Sequence, residues 1–356
     1  FPEGPLARVH YIIGRDEGET PEVAQHELEE AVAAIIRTWC DGFQDACRAK
    51  FGPARGRGLI ESYGQGFPDA YKASYPPETA VDDLSALELF AGDRSTAVLL
   101  RGGGEPGPII SLRLFHRGSE VPLSERVPLL ESMGFIVLDE RTFIIARPDG
   151  PVVLHDMALK RADGLSIDLA RHDNLLRSAF MAVWLGQADS DRLNSLCLSA
   201  GLGWREIAAV RTLVRYLMQI GIAYDQAYIA GVLVSNPGLT ADLVRLLHAR
   251  FDPLLVGDRV AAVAAARRTV EAGLEALPSL DADRIFRRLV GLVEAATRTT
   301  FYQIGANGGP HPVMAFKFDS HRIEGLPAPA PFAEIFLHAP AVEGVHLRFG
   351  KVARGG

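Results

Sequence analysis

The chain has 356 residues, enough for two or three domains with buried cores, and its 48% hydrophobic, 23% charged composition is that of an ordinary globular protein. With 44 Asp and Glu against 37 Lys and Arg, the net charge of -7 offers no basic surplus for nucleic acid, and no apolar run approaches the roughly 20 residues that span a bilayer. Phe1 at the start and Arg354-Gly355-Gly356 at the end read as the limits of a piece of a longer cytoplasmic protein.

Leu6 to Ile13 alternates and then runs apolar, predicting a half-buried strand, and Thr20-Pro21-Glu22 supplies a helix start. Leu28, Val32, Ile35, Trp39, Phe43 and Cys47 follow at spacings of three and four, predicting one long amphipathic helix that the Gly- and Arg-rich stretch Gly52 to Gly58 ends. Cys40 and Cys47 would then lie about 10.5 Å apart along the axis, beyond disulfide reach. Val81, Leu84, Leu87 and Phe90 mark a shorter helix.

From Ala97 the period changes to that of strands: Ala97–Leu100, then Ile110 to Leu114. A helix follows from Leu123, stopped by Gly134, and then three strands, Phe135–Leu138, Thr142–Ala146 and Val152–Leu159. This order predicts a split βαβ, ferredoxin-like module of the ACT type. Helical blocks cover Leu175–Leu185, Arg205–Ile220, Ala227–Val234, Ala241–Phe251, Arg259–Leu277 and Arg284–Thr299, with Thr240 and Asp281 placed as N-caps. Strands return at Val313–Phe318, Glu334–Ala339 and Val345–Phe349. The fold class is therefore α+β, an ACT-like region followed by an all-α helical domain and further strands.

Chemistry-bearing motifs are few. Gly102 to Gly107 matches G-x-G-x-x-G, but Pro106 and Pro108 interrupt it and a strand follows, so a hairpin loop is expected and no cofactor site. Gly305 to Gly309 likewise lacks a following helix and reads as a hairpin tip. The ten histidines show no metal-ligand spacing, so no metal is expected. Arg267-Arg268 and Arg287-Arg288 read as solvated or interdomain faces. Five lysines are present: Lys50 and Lys72 look exposed, Lys160 ends a strand, Lys317 alternates away from the core, and Lys351 lies between glycine and valine near the end. An amine catalyst needs a desolvated setting, and no complete active site is visible.

The tail carries a resemblance. Glu334-Ile335-Phe336, Val342-Glu343-Gly344-Val345-His346-Leu347-Arg348 and Gly350-Lys351-Val352-Ala353-Arg354-Gly355-Gly356 resemble the large bacterial NAD-specific glutamate dehydrogenases. Leu6-Ala7-Arg8-Val9-His10, Phe67-Pro68-Asp69-Ala70-Tyr71, Gly201 to Glu206, Ala249-Arg250-Phe251 and Ser279 to Ile285 agree in order. The resemblance implies a middle segment: a partial ACT-like region with a long helix at 1–96, an ACT-like module at 97–165, a helical domain at 166–300, and the opening strands of the catalytic α/β domain at 301–356. Family activity is NAD-dependent oxidation of L-glutamate to 2-oxoglutarate and ammonia. By spacing, Arg354 takes the place of a lysine that binds a substrate carboxylate in the small glutamate dehydrogenases, His346 matches an upstream histidine, and Lys351 is a helper charge. The catalytic lysine and the nucleotide-binding glycines are expected outside this segment, which alone is expected to be inactive and to bind no NAD. Implied partners are other domains and subunits of the same enzyme, with the 97–160 module either binding an amino-acid effector or packing on another module. The alternative reading is a free-standing amino-acid-sensing or scaffold protein built from the same domains.

Overall fold

The apolar spacing from Leu28 to Cys47 makes two helices rather than one. In the computed structural model, which describes residues 24–90, 95–102, 106–306, 308–326 and 328–350, α1 (Gln25–Ile36) and α2 (Trp39–Phe51) are separated by extended backbone at Arg37 and Thr38. The Thr38 hydroxyl accepts from the Asp41 amide while the Asp41 carboxylate accepts from the Thr38 amide, a capping box that starts a new helix inside a continuing apolar period. The predicted strand at Leu6–Ile13 and the helix start at Thr20 lie outside the described residues. Gly52 ends α2 at φ 79° as expected, but the stretch that follows is no loop: Pro53 opens α3 (Pro53–Tyr63). A Cβ at Gly56 would stand 3.0 Å from the Cys47 carbonyl oxygen, so glycine is what lets α3 lie against α2. After α4 (Asp69–Ser74), α5 (Pro77–Leu87) continues into a 3₁₀ turn at Glu88–Phe90. Trp39, Phe43, Phe67 and Tyr71 stack together beneath these helices. The chain divides into two compact units between Asp82 and Asp83.

The second unit begins with a four-stranded antiparallel sheet formed by β1 (Thr96–Arg101), β2 (Ile109–Arg117), β3 (Phe135–Ile145) and β4 (Val152–Arg161), in the order β1-β2-β4-β3. Helix α6 (Leu123–Ser132) connects β2 to β3, and β4 lies between them, which is the expected split βαβ. The fourth place of the ferredoxin-like sheet is filled by β1, from the N-terminal side of the unit. Two expected strands are one. The charged run Asp139-Glu140-Arg141 stays paired with Ala158, Met157 and Asp156 after a bulge at Leu138, because Arg126 and His155 reach in and hold Glu140. Leu112, Leu114, Met157 and Leu159 pack beneath α6 and α7 (Leu169–Trp184).

A 3₁₀ turn at Arg192–Ser195 leads into α8 (Leu196–Ser199), α9 (Trp204–Gln219), α10 (Gln226–Ser235), α11 (Pro237–Phe251), α12 (Arg259–Glu275) and α13 (Leu280–Ala295). Neither expected threonine nor aspartate cap is one. Thr240 lies inside α11, its hydroxyl donating to the Leu233 and Asn236 carbonyls, and the helix opens at Asn236-Pro237. Ser279 caps α13 by accepting from the Ala282 amide, while Asp281 accepts from the Tyr224 hydroxyl at 2.5 Å. No single described helix is long and apolar enough to cross a membrane; α10 and α11 reach that length only together, bent by 97°.

The sixth helical block runs four residues too far. At Ala296 the backbone turns extended and pairs with Phe318, starting β5 (Ala296–Thr299). It joins β6 (Met314–Phe318), β7 (Ala333–Ala339) and β8 (Val342–Arg348) in an antiparallel meander. One apolar core runs from Val98 in the first sheet through the helices to Phe336 in the second.

Candidate functional site

Of the three expected substrate-binding residues, the structure places one. His346 is exposed on β8, opposite Ile335, whereas Lys351 and Arg354 lie outside the described residues. Directly opposed residues of an antiparallel sheet share a face, so the register puts Arg298, Lys317, Ile335 and His346 in one row across all four strands. Arg348 lies two residues along β8 on the same face. The strands' carboxylates, Glu334 and Glu343, stand on the other face, opposite Leu347 and His338. The outward face is thus cationic with a small apolar centre, a surface that attracts carboxylates. Arg298, exposed on this face, can present a planar two-donor fork to such a group. The alternation around Lys317 signalled its outward direction; its alignment with Arg298 and His346 depends on register, which no local signal carries.

The inward face of the sheet packs against α9. Tyr216 of α9 stacks on Phe318 with centroids 4.4 Å apart and donates its hydroxyl to Glu334 at 2.5 Å. Burial, reinforced by Glu334, pushes the Tyr216 hydroxyl far above the usual phenol range, so it stays a donor. Arg211, 1% exposed, donates to Asp191 at 2.6 and 2.9 Å and to Asn194 at 2.8 Å. His338 stands 3.7 Å from Asp189; burial holds its pKa low, Arg211 and Arg215 add to that, and Asp189 opposes it. Arg215 bridges to Glu343 at 2.7 Å and to Gln226 at 2.6 Å. These contacts clamp β7 and β8 onto α9.

A second constellation was also not anticipated. His248 of α11 contacts Glu206 of α9 through Nε2 at 2.7 Å and the Tyr302 hydroxyl through Nδ1 at 2.5 Å. Glu206 also accepts the Gly203 amide, and although burial alone would raise its pKa, these two hydrogen bonds bring it below the ordinary value. Arg205 donates to the carbonyls of Thr300, Phe301 and His311, so the group ties the helices to the segment between β5 and β6.

The remaining candidates resolve as structure. Lys50 pairs with Asp82 at 2.7 Å, Lys72 lies over the Trp39 ring, and Lys160 is exposed on β4. Burial pushes the Cys47 thiol up to about 11 and Cys197 to about 12, values of inert core thiols. Gly102 leads from β1 into the antiparallel strand β2, and the Gly305–Gly309 turn joins bridged residues Ile304 and Pro310. Neither places glycines at a helix start, so neither loop fits a dinucleotide pyrophosphate.

The architecture is an α+β assembly: an ACT-like module, a helical domain and a second sheet with a cationic face. Family models match the chain in sequence order: glutamate dehydrogenase ACT2 domain at residues 1–40, helical motif 2 at 46–89, ACT3 domain at 96–172, helical motif 3 at 188–253, and bacterial NAD-glutamate dehydrogenase catalytic domain at 269–356. The chain is 37% identical to the NAD-specific glutamate dehydrogenase of Halomonas elongata, over 99% of its own length and 22% of the relative's. It is 34% identical to that of Pseudomonas aeruginosa, covering 100% and 22%, and 34% identical to that of Mycobacterium tuberculosis, covering 99% and 23%. The chain belongs to the bacterial NAD-glutamate dehydrogenase family, and it spans about a fifth of the length of the relatives it matches.

Proposed function

We propose that this chain is the regulatory and structural middle of an NAD-dependent glutamate dehydrogenase, whose whole polypeptide converts L-glutamate, NAD and water to 2-oxoglutarate, ammonia and NADH. The observation that carries the reading is likeness along the entire chain to relatives more than four times its length. In this reading residues 1–96, 97–165, 166–300 and 301–356 are successive parts of one subunit, the last opening the catalytic domain. The 97–160 module packs on its neighbours: its central strands are buried on both faces, beneath α6 and α7 on one side and against Asp83 and Phe90 on the other.

Arg354, with Lys351 as a helper charge, would anchor a glutamate carboxylate, and His346 would face the same side as Lys317 and Arg298. Fixing the substrate by its carboxylates sets the direction in which its Cα–H bond points, the orientation on which hydride transfer depends. In this reading hydride acceptance belongs to NAD, whose binding glycines lie in other parts of the polypeptide. Measuring NADH formation tests the reading. The intact polypeptide should reduce NAD when glutamate is added and this chain alone should not, while Arg354→Ala in the intact enzyme should raise KM for glutamate at least tenfold. An intact polypeptide without glutamate-dependent NAD reduction would overturn it.

A further inference from the structure

A cavity of about 560 Å³ opens between the turn that ends α9, the exposed side of α13 and Glu324-Gly325 of the β6–β7 connection. We propose that it binds a small aliphatic carboxylate. Its chemistry rests on two guanidinium groups one helical turn apart, Arg284 and Arg288, which therefore share a face of α13. Arg287 between them is satisfied by Asp283 at 2.8 and 2.9 Å and by Glu271 at 3.5 Å. The other two are not. Arg284 makes a single 3.3 Å contact, to the Tyr224 hydroxyl. The Arg288 side chain is only 21% exposed, yet its nearest carboxylate, Glu324, stands 3.9 Å away on a side chain 87% exposed, beyond hydrogen-bond reach. Gly325, at φ 75°, makes the room: a Cβ there would come within 3.0 Å of Arg288 Nη1.

A half-buried guanidinium whose nearest carboxylate is beyond hydrogen-bond reach has donors to offer an incoming acceptor. A carboxylate fits better than a phosphate, because Asp283 and Glu324 in the same lining repel a second negative charge. Ile220 and Ile222 from the turn after α9, with Leu280 one turn before Arg284 on α13, make the lining partly apolar, which suits an aliphatic body. The proposal stands apart from the dehydrogenase reading, since binding is read without turnover.

Calorimetric titration of the 356-residue chain with isovalerate, L-valine and inorganic phosphate tests it. Isovalerate or L-valine should give saturable heat, and Arg288→Gln should weaken that binding at least tenfold. Arg284→Gln, an exposed position whose change leaves the thermal midpoint in place, should weaken it as well. Equal binding of both ligands assigns recognition to the carboxylate alone; preference for L-valine, lost in Glu324→Gln, assigns the ammonium to Glu324. No saturable binding of either ligand, phosphate binding as tightly as both, or affinity unchanged in both arginine variants would overturn the proposal.

Discussion

His155 shows how a single side chain couples pH to stability. Its Nε2 accepts the Val121 amide at 3.3 Å, which leaves Nδ1–H to donate toward Glu140 and Thr142, each at 3.1 Å. Burial is the main reason its pKa lies below the ordinary value; Arg126 adds to this and Glu140 opposes it. The folded chain therefore keeps the imidazole neutral while the unfolded chain takes a proton as pH falls through about 6.5. Stability should decline from that pH downward, and His155→Gln should flatten the decline in thermal midpoints measured between neutrality and pH 5. An unchanged slope in the variant would assign the effect elsewhere. Glu206, also depressed, adds its own loss only below about pH 4.3, so the two windows separate. Arg113 and Asp83, 1% and 0% exposed, form a buried pair at 3.1 Å, with Asp156 a further 3.7 Å from Arg113. Asp83→Asn should cost about 3 kcal/mol, the low end for breaking a buried pair because Asp156 remains, read as a lowered denaturant midpoint at constant slope. Local sequence gave no sign of these pairings. Their partners come from α5, α6, β2 and β3, and no periodicity specifies which elements meet.

At the scale of elements, the residues that set faces were legible and those that set boundaries were often not. Alternation and short apolar runs placed β1, β4, β6 and β7 within a residue or two and β2 within three, because strand periodicity is a local property of the chain. The unbroken period from Leu28 to Cys47 hid the Thr38 cap, whose hydrogen bonds compete with helix continuation only once Asp41 is in place. Thr38→Ala should therefore lower stability by about 1 kcal/mol, seen as a shifted denaturation midpoint. Gly56 makes the opposite test. Alanine is the better helix former by about 1 kcal/mol, yet its Cβ would press on the Cys47 carbonyl and the Arg48 Cα at 3.0 and 3.1 Å. Backbone cannot yield as a side-chain tip can, so Gly56→Ala should destabilise the chain; a rise in midpoint would show that α2 and α3 move apart without penalty.

The whole molecule was the least legible scale, because sequence periodicity marks an apolar face without naming what covers it. A helical domain ending at residue 300 and a new domain from 301 is a natural division of the pattern, but packing crosses that line. Tyr216 stacks on Phe318 and touches Phe336, its hydroxyl donates to Glu334, and Arg205 donates to carbonyls that follow β5. Cutting the polypeptide after Thr300 would remove Phe316, Phe318 and Phe336, each at most 1% exposed, and leave the Tyr216 hydroxyl without its acceptor. Losing one such aromatic ring costs about 3–5 kcal/mol, so losing three exceeds the margin of most domains. The segment 83–300 should therefore melt well below 83–350, bind a hydrophobic dye and lose its near-ultraviolet dichroism. The same melting point in both would mean that the second sheet folds as an independent domain laid on a complete one. The continuous core argues for the first outcome: the second sheet and the helices before it stabilise each other, so a change at either is felt by both.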